Sequence, residues 1–410
     1  MMKNFDKHFD VAQEILDLTE KELKNLAPVN ILIVGKSGVG KSTLVNSIFR
    51  ERIAETGIGK PVTKHLQKIT RKDVPITIYD TRGLELDPNI QKQIRDEIDK
   101  LIEDNKGSEE AIHVAYYCIQ ATSSRIEKSE IKMIEEISKK IPVILVLTQA
   151  IGEQAQTFQN YIEEMNLNVA AVHSVLAQPY VISDDYTVEP FGLKELIERT
   201  FNLIPESVRR AFTNAQRVDI ERKVNTAKTW AKRYIATSFG VGFVPIPFSD
   251  ASILVPMQVA LLAHITVIFG VPIDKATILS IIAAVGGTGT ATVIGRSVVS
   301  NAFKFIPGLG TIVGGFISGT TASIVTRALA DSYIQVLRLM AISELTGQET
   351  STDKIVLMMQ KQFKKYIKEN KKELKKESSQ LKTLKDSPLS KVEVARKTVN
   401  NFMEKLKNRF

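Results

Sequence analysis

The amino-acid sequence predicts an α/β domain with a central, mostly parallel sheet over residues 28–206. An all-helical apolar domain and a basic helical tail follow. Three observations carry this prediction. A short apolar run, Asn30 to Val34, leads straight into the glycine-rich stretch Gly35–Ser42, and a helix-forming segment follows from Ser42 to Phe49. Two more apolar runs, Val74–Asp80 and Pro142–Leu147, end in polar loop residues, as buried parallel strands do. Beyond residue 236 the charges thin out into long uncharged runs, and after Ser351 lysines crowd in.

Gly35-Lys36-Ser37-Gly38-Val39-Gly40-Lys41-Ser42 matches G-x-x-x-x-G-K-[ST], the phosphate-binding loop. Strand, glycine turn and helix start bring backbone N–H groups and the positive end of a helix onto one phosphate. The motif, with Thr43 beside it, nominates Gly35, Lys36, Ser37, Gly38, Val39, Gly40, Lys41, Ser42 and Thr43 as nucleotide-binding residues. In this motif the Lys reaches the β- and γ-phosphates and the Ser holds Mg²⁺, which assigns those roles to Lys41 and Ser42. Downstream, Asp80-Thr81-Arg82-Gly83 gives D-x-x-G, with Asp80 facing the metal through water and the Gly83 N–H facing the γ-phosphate. Between the two motifs lies the loop Thr56–Thr63, where Thr63 is the best-placed further Mg²⁺ ligand. Three elements in order carry far more weight than any one of them.

Gly35–Thr43, the Pro61-Val62-Thr63 triplet and Asp80–Gly83 resemble the Era-like branch of small GTPases. Tyr116–Ile119 with Ser123-Ser124-Arg125 is similar to the strand and loop of one bacterial group in that branch, whose G domain is fused to an apolar, mostly helical domain. The likeness continues through Gly192–Leu196 and Pro245–Asp250 and so covers most of the chain. It implies a P-loop G domain that binds GTP and GDP with Mg²⁺ and acts as a nucleotide-dependent switch.

Two departures stand out. The family reads guanine with N-K-x-D or T-K-x-D after the fifth strand, the Asp accepting from the base and the Lys stem stacking on it. Here Thr148 fits, Gln149 replaces the Lys, and Ile151 stands where the Asp belongs; Glu153 is an acid at a different spacing. Ala177, in Ser174–Ala177, is the candidate for a backbone N–H to the base oxygen. Many small GTPases also place a water-orienting Gln after D-x-x-G, and that residue is Leu84. Gly38 occupies the position where some members hold potassium with an Asn. Slow intrinsic turnover is therefore expected. Lys41, Thr63, Gly83 and Arg82 are the candidate catalytic residues. Arg125 and Arg52 are further candidate charge stabilisers, supplied in cis or across a nucleotide-dependent homodimer, and each of the three arginines reads more readily as a solvated surface residue.

With 410 residues there is room for two or three domains, here 1–27, 28–206, 207–346 and 347–410, the first an amphipathic helix and the last the basic tail. The single cysteine, Cys118, falls in a buried strand, which excludes a disulfide framework and suits a reducing cytoplasm. The first thirty residues carry acids throughout and do not read as a signal peptide. Ser351–Phe410 holds 17 Lys or Arg against 7 Asp or Glu, a difference of +10, so the rest of the chain is near neutral within the formal net charge of +9. Such a tail suits an anionic membrane surface or a solvated face. Nucleic acid is disfavoured, because aromatics are not interleaved and the G-x-x-G spacing of Gly286–Gly289 sits in an uncharged run.

Ala251–Ile273, Ala276–Gly295 and Phe305–Thr326 carry no formal charge, and each meets the length of about 20 residues that a bilayer span needs. Two readings stand: helices that enter a membrane at its inner face, or the buried core of a compact helical domain. Either way, 236–330 and 351–410 are the segments expected to meet a membrane surface or a protein partner. A ribosome- or RNA-associated assembly GTPase is the alternative class, and a P-loop ATPase or kinase is the third.

Overall fold

The computed structural model describes residues 10–50, 58–82, 88–241, 250–285 and 319–370. Among them two compact units separate, Leu23–Lys223 and the pair Met1–Glu22 with Val224–Phe410.

The first unit is built on a seven-stranded sheet, in the order β2-β3-β4-β1-β5-β6-β7. The strands are β1 Val29–Val34, β2 Ile58–Pro61, β3 Leu66–Arg71, β4 Val74–Thr81, β5 Val114–Gln120, β6 Val143–Thr148 and β7 Ala171–Ser174. The β4-β1-β5-β6-β7 portion is parallel, and β2-β3-β4 is antiparallel. Every residue of β1 and of β6 is buried, which is why these strands read as continuous apolar runs rather than as alternations. Successive residues of β1 supply opposite layers. Ile31 and Ile33 join Leu44, Val45 and Phe212 on one face, while Leu32 and Val34 join Ile94, Ile98 and Ile134 on the other.

Helices α2 Lys41–Ile48, α6 Leu193–Leu203 and α7 Glu206–Ala215 contribute to the first layer. Helices α3 Pro88–Asp104, α4 Lys128–Ser138 and α5 Gly152–Glu164 contribute to the second. This is the α/β architecture with a mostly parallel central sheet that the sequence predicts. A hairpin of β8 Tyr180–Ser183 and β9 Tyr186–Val188 forms a separate two-stranded sheet, which the sequence reading does not contain.

Beyond residue 206 the chain forms two helices, α7 and α8 Ile220–Val241. The α/β domain read from the sequence ends at 206, and the sheet-bearing unit runs on to Lys223. The reason is packing: Val208, Phe212 and Ala215 of α7 are buried in the sheet's first layer, and Phe212 meets Phe49 edge to face at 6.2 Å. Arg50 locks the same helix, its Nη2 donating to Asn214 Oδ1 at 2.9 Å and its Nε to Asn214 O at 3.1 Å.

The second unit is helical among its described residues. It contains most of α1 Val11–Lys24 and most of α8, with α9 Asp250–Phe269, α10 Lys275–Val285, α11 Gly319–Thr346 and α12 Thr352–Glu369. The run beginning at Ala251 forms most of α9, which ends just before Gly270, at φ +65°. Val259, Leu262, Ile265 and Phe269 of α9 are buried, and α9 packs on α11. Two polar pairs lie inside this layer: Gln258 Nε2 donates to Thr326 Oγ1 at 3.1 Å, and Thr266 Oγ1 meets Tyr333 Oη at 2.7 Å. Trp230 stacks on His264 with ring centroids 5.1 Å apart, and His264 Nε2 lies 3.3 Å from Glu22 Oε2. No helix among the described residues is long and apolar enough to cross a membrane. Residues 245–249, Gly286–Gly289, half of the second apolar run, most of the third and the tail beyond 370 lie outside the described residues.

Candidate functional site

The parallel strands bring their carboxyl ends to one edge, where ligands bind in sheets of this kind. Ile33 of β1 lies in register with Asp80 of β4, so the loop after β1 and the acid ending β4 are neighbours by strand pairing alone. That loop joins β1 to α2. Gly35 adopts φ +149°, and a Cβ there would fall 2.5 Å from the Cys118 carbonyl oxygen, so only glycine fits against β5. Gly40, at φ +93°, caps α2 in the left-handed region. Helix α2 starts with no side-chain cap, which leaves the N–H groups of its first turn for a ligand. Val39 is buried in the core and braces the loop from beneath, while Ser37 and Gly38 form its exposed apex.

Lys41 Nζ donates to the carbonyls of Gly35 at 2.8 Å and Lys36 at 3.0 Å, which holds the ammonium over the loop. Lys36 points the other way. Its Nζ lies 2.9 Å from Glu127 and 3.4 Å from Glu130, the two residues of the capping box of α4. It anchors the loop through an ion pair that the sequence motif does not announce.

Lys41, Ser42, Asp80 and Arg82 line one cavity together with Gln67 and the apolar side chains of Ile33, Val45, Ile69 and Ile78. Burial raises the Asp80 pKa, while the charges of Lys41 and Arg82 pull it down. Asp80 Oδ1 is buried, and among the described residues no donor reaches it. A buried carboxylate oxygen without a partner is costly unless something cationic or hydrated meets it. Asp80 and the Ser42 hydroxyl, both oxygen donors on one cavity, fit the hard-ligand preference of Mg²⁺. Gln67 is a cavity residue that sequence reasoning missed. It lies opposite Asp80 in the β3–β4 register, a pairing no local motif reveals. Arg82 is exposed at this rim, and Arg125 is 74% exposed with its guanidinium on Glu127 at 3.2 Å. Gly83, Leu84 and Arg52 lie outside the described residues.

Thr63 is not among the cavity residues. Its Oγ1 donates to Glu97 Oε2 of α3 and accepts from the Leu66 N–H at 3.0 Å. His65 Nδ1 lies 3.1 Å from Glu97 Oε1. Burial alone would raise the Glu97 pKa, but the bonds from Thr63 and His65 outweigh it and hold the carboxyl below its usual range. In this conformation the candidate metal ligand is engaged elsewhere, by a residue more than thirty positions away in the chain.

At the other end of the site, Gln120 of β5 pairs in register with Thr148 of β6. Thr148 Oγ1 donates to the Val39 carbonyl and lies 3.2 Å from that of Ile119, tying this loop to the phosphate loop. Gln149 takes φ +51°, and its amide oxygen accepts from Gln120 Nε2 at 3.0 Å. Ser174–Ala177 is braced on the same side, with Val175 N donating to Leu147 O at 2.8 Å and Ala150 N to Val175 O at 3.2 Å. Ala177 packs partly buried against the core. Ile151 caps α5 without a side-chain bond, and Glu153 sits in the first turn of that helix. Cys118 is buried beneath the loop, its thiol pushed up to about 12 by burial, which makes it inert.

Residues 30–149 match the family model described as 50S ribosome-binding GTPase. This segment is a GTPase G domain. Among curated proteins the chain is similar to septin-9 of Rattus norvegicus, 25% identical over 159 residues, covering 32% of this chain and 28% of that one. It is similar to neuronal-specific septin-3 of Homo sapiens, 24% identical over 184 residues, covering 38% and 51%. Translocase of chloroplast 108 of Physcomitrium patens is 37% identical over 83 residues, which is 20% of this chain and 8% of that protein. The chain thus spans between 28% and 51% of the length of these two septins. Among solved structures, one described as a probable GTP-binding protein engB covers 44% of this chain and 99% of its own, at 20% identity and TM-score 0.30.

Proposed function

We propose that this G domain is a Mg²⁺-dependent nucleotide switch that hydrolyses GTP slowly, and that its helical unit passes the nucleotide state to a partner surface. One observation carries the reading: the buried, unpartnered Asp80 oxygen shares a cavity with Lys41 and Ser42. Asp80 and Ser42 are the residues that would hold Mg²⁺, with Thr63 joining them only after leaving Glu97. The metal would neutralise phosphate charge there. Lys41 supplies a fixed positive charge for the β- and γ-phosphates, and the first turn of α2 supplies N–H donors. Arg82 stands at the rim, where developing negative charge can be met. Position 84 carries a leucine, which neither accepts nor donates a proton, so water activation depends on another group and turnover is slow. Titration of the full chain with fluorescent GTP, with and without Mg²⁺, tests this. Micromolar or tighter binding that responds to Mg²⁺ and vanishes in Lys41→Ala supports it. Binding that ignores both would sink it.

A second reading concerns the partner. The family model that matches the domain is described by ribosome binding, which favours a ribosomal particle over a lipid surface. Co-sedimentation with large ribosomal subunits, set against flotation with anionic liposomes, decides between them in each nucleotide state.

A further inference from the structure

The base end of the site has a complete frame and an incomplete reading head. Thr148 ties the loop after β6 to the Val39 carbonyl. Ala150 and Val175 cross-link it to the neighbouring loop. Gln149 Nε2 lies 3.6 Å from the point a Cβ on Gly40 would occupy, so this side chain reaches across the last glycine of the phosphate loop. Its oxygen is held by Gln120 Nε2, which donates also to Thr122 Oγ1 at 2.9 Å. The floor of the base site is thus a fixed, neutral amide pair. At the reading position the backbone of Ile151 is extended, at φ −127° and ψ 138°, and the side chain it presents is a hydrocarbon.

Guanine and adenine differ at the edge such a position meets. Guanine offers two adjacent donors there, N1–H and the 2-amino group, where adenine has the N1 acceptor and a C–H. A carboxylate accepts both guanine protons and repels the adenine nitrogen. An isoleucine satisfies neither edge, and any donor of guanine that it shields from water is left unpaired. Sites built to bond a polar group discriminate by several orders of magnitude, whereas apolar pockets discriminate only weakly between similar ligands. Neither the acid two residues on nor the acids that brace the phosphate loop replace the missing one. Glu153 lies in the first turn of α5, and Glu127 and Glu130 are committed to Lys36.

We infer that this site binds ATP as well as GTP, with affinity set by its phosphate half, and that Ile151 is the residue that withholds base selection. The inference rests on the nucleotide site proposed above, and the experiment separates the two. The probes are fluorescent GTP and ATP with Mg²⁺, titrated against the full chain, Ile151→Asp and Ile151→Ala. The parent should bind the two within about tenfold of each other. Ile151→Asp should raise the preference for GTP by about a hundredfold or more, and Ile151→Ala should leave the ratio where it was. The aspartate variant keeps its fold because Asp is a favoured helix N-cap, and position 151 is the N-cap of α5. A parent that binds GTP a thousandfold tighter than ATP overturns the inference and leaves the nucleotide site standing. An unchanged ratio in Ile151→Asp also overturns it, by removing residue 151 from the base. Failure of the parent to bind either nucleotide overturns both.

Discussion

The phosphate end and the base end of this site are built from different materials. The phosphate end is mostly backbone: glycines at Gly35 and Gly40, the uncapped start of α2, and one lysine folded over the loop. The base end relies on side chains, and two of the three that the family pattern requires have changed, to Gln149 and Ile151. Backbone sites tolerate little change, because moving one atom moves the whole loop. Side-chain sites can lose a function and keep their shape. The hydrogen bonds of Thr148 to Val39 and Ile119 fit this, since the loop stays in place while Ile151, where the T-K-x-D pattern has an acid, is apolar.

Breaking the phosphate end should therefore give the largest effect. Lys41→Ala removes the charge that opposes the phosphates and should weaken GTP and ATP alike by about a hundredfold or more. Equilibrium titration with both nucleotides checks this. A loss confined to one base would show that the two ends are not separable. Gly35→Ala comes next. Its Cβ would meet the Cys118 carbonyl at 2.5 Å with φ at +149°. The loop must shift, so stability should fall by about 2 kcal/mol and binding with it. Thermal unfolding alongside titration reads both quantities.

Asp80→Asn sharpens the comparison differently, because it should trade binding for stability. Burial raises the Asp80 pKa in the folded protein. A carboxyl whose folded pKa exceeds its unfolded value binds more protons when folded, so it costs stability as pH rises through that raised value. The asparagine removes this cost. Without Mg²⁺, the variant should melt above the parent at pH 8, and the gap should close as pH falls below the ordinary carboxylate range. Mg²⁺-dependent nucleotide affinity should be lost at the same time. A parent and variant with equal melting temperatures at pH 8 would show that the buried oxygen is not strained.

Much of the sheet and the phosphate loop was legible because the signals are local. The apolar runs of β1, β4, β5 and β6, the glycine spacing and the acid ending β4 each lie within a few residues of one another. What escaped depends on distant partners. Gln120 meets Gln149, Thr63 meets Glu97, and Gln67 faces Asp80 only through strand register or tertiary packing. Helix α7 begins at the edge of the 28–206 domain read from the sequence, yet Phe212 is buried on the sheet. The hairpin β8–β9 escaped for another reason. Its apolar side chains Val181, Ile182 and Tyr186 are exposed, so no alternation between core and solvent marks its strands.

The smallest expected effect concerns Thr63, where the site is coupled to α3. Its Oγ1 donates to Glu97, and Glu97 is held by His65 as well. To reach a metal held by Asp80 and Ser42, Thr63 would give up that bond, at a net cost of about 1.5 kcal/mol, the lower end for a hydrogen bond to a charged group. A conformation that must be left before binding lowers apparent affinity by the fraction of molecules that are competent. Glu97→Ala removes the competing acceptor. It should strengthen Mg²⁺-GTP binding by about threefold to tenfold and leave GDP binding nearly unchanged, since only the γ-phosphate state recruits this threonine. Thr63→Ala added to Glu97→Ala should erase the gain. Equal changes for GTP and GDP in Glu97→Ala would mean that the carboxylate acts on the fold of the loop. The Thr63–Glu97 bond would then be a structural tie rather than one arm of a switch.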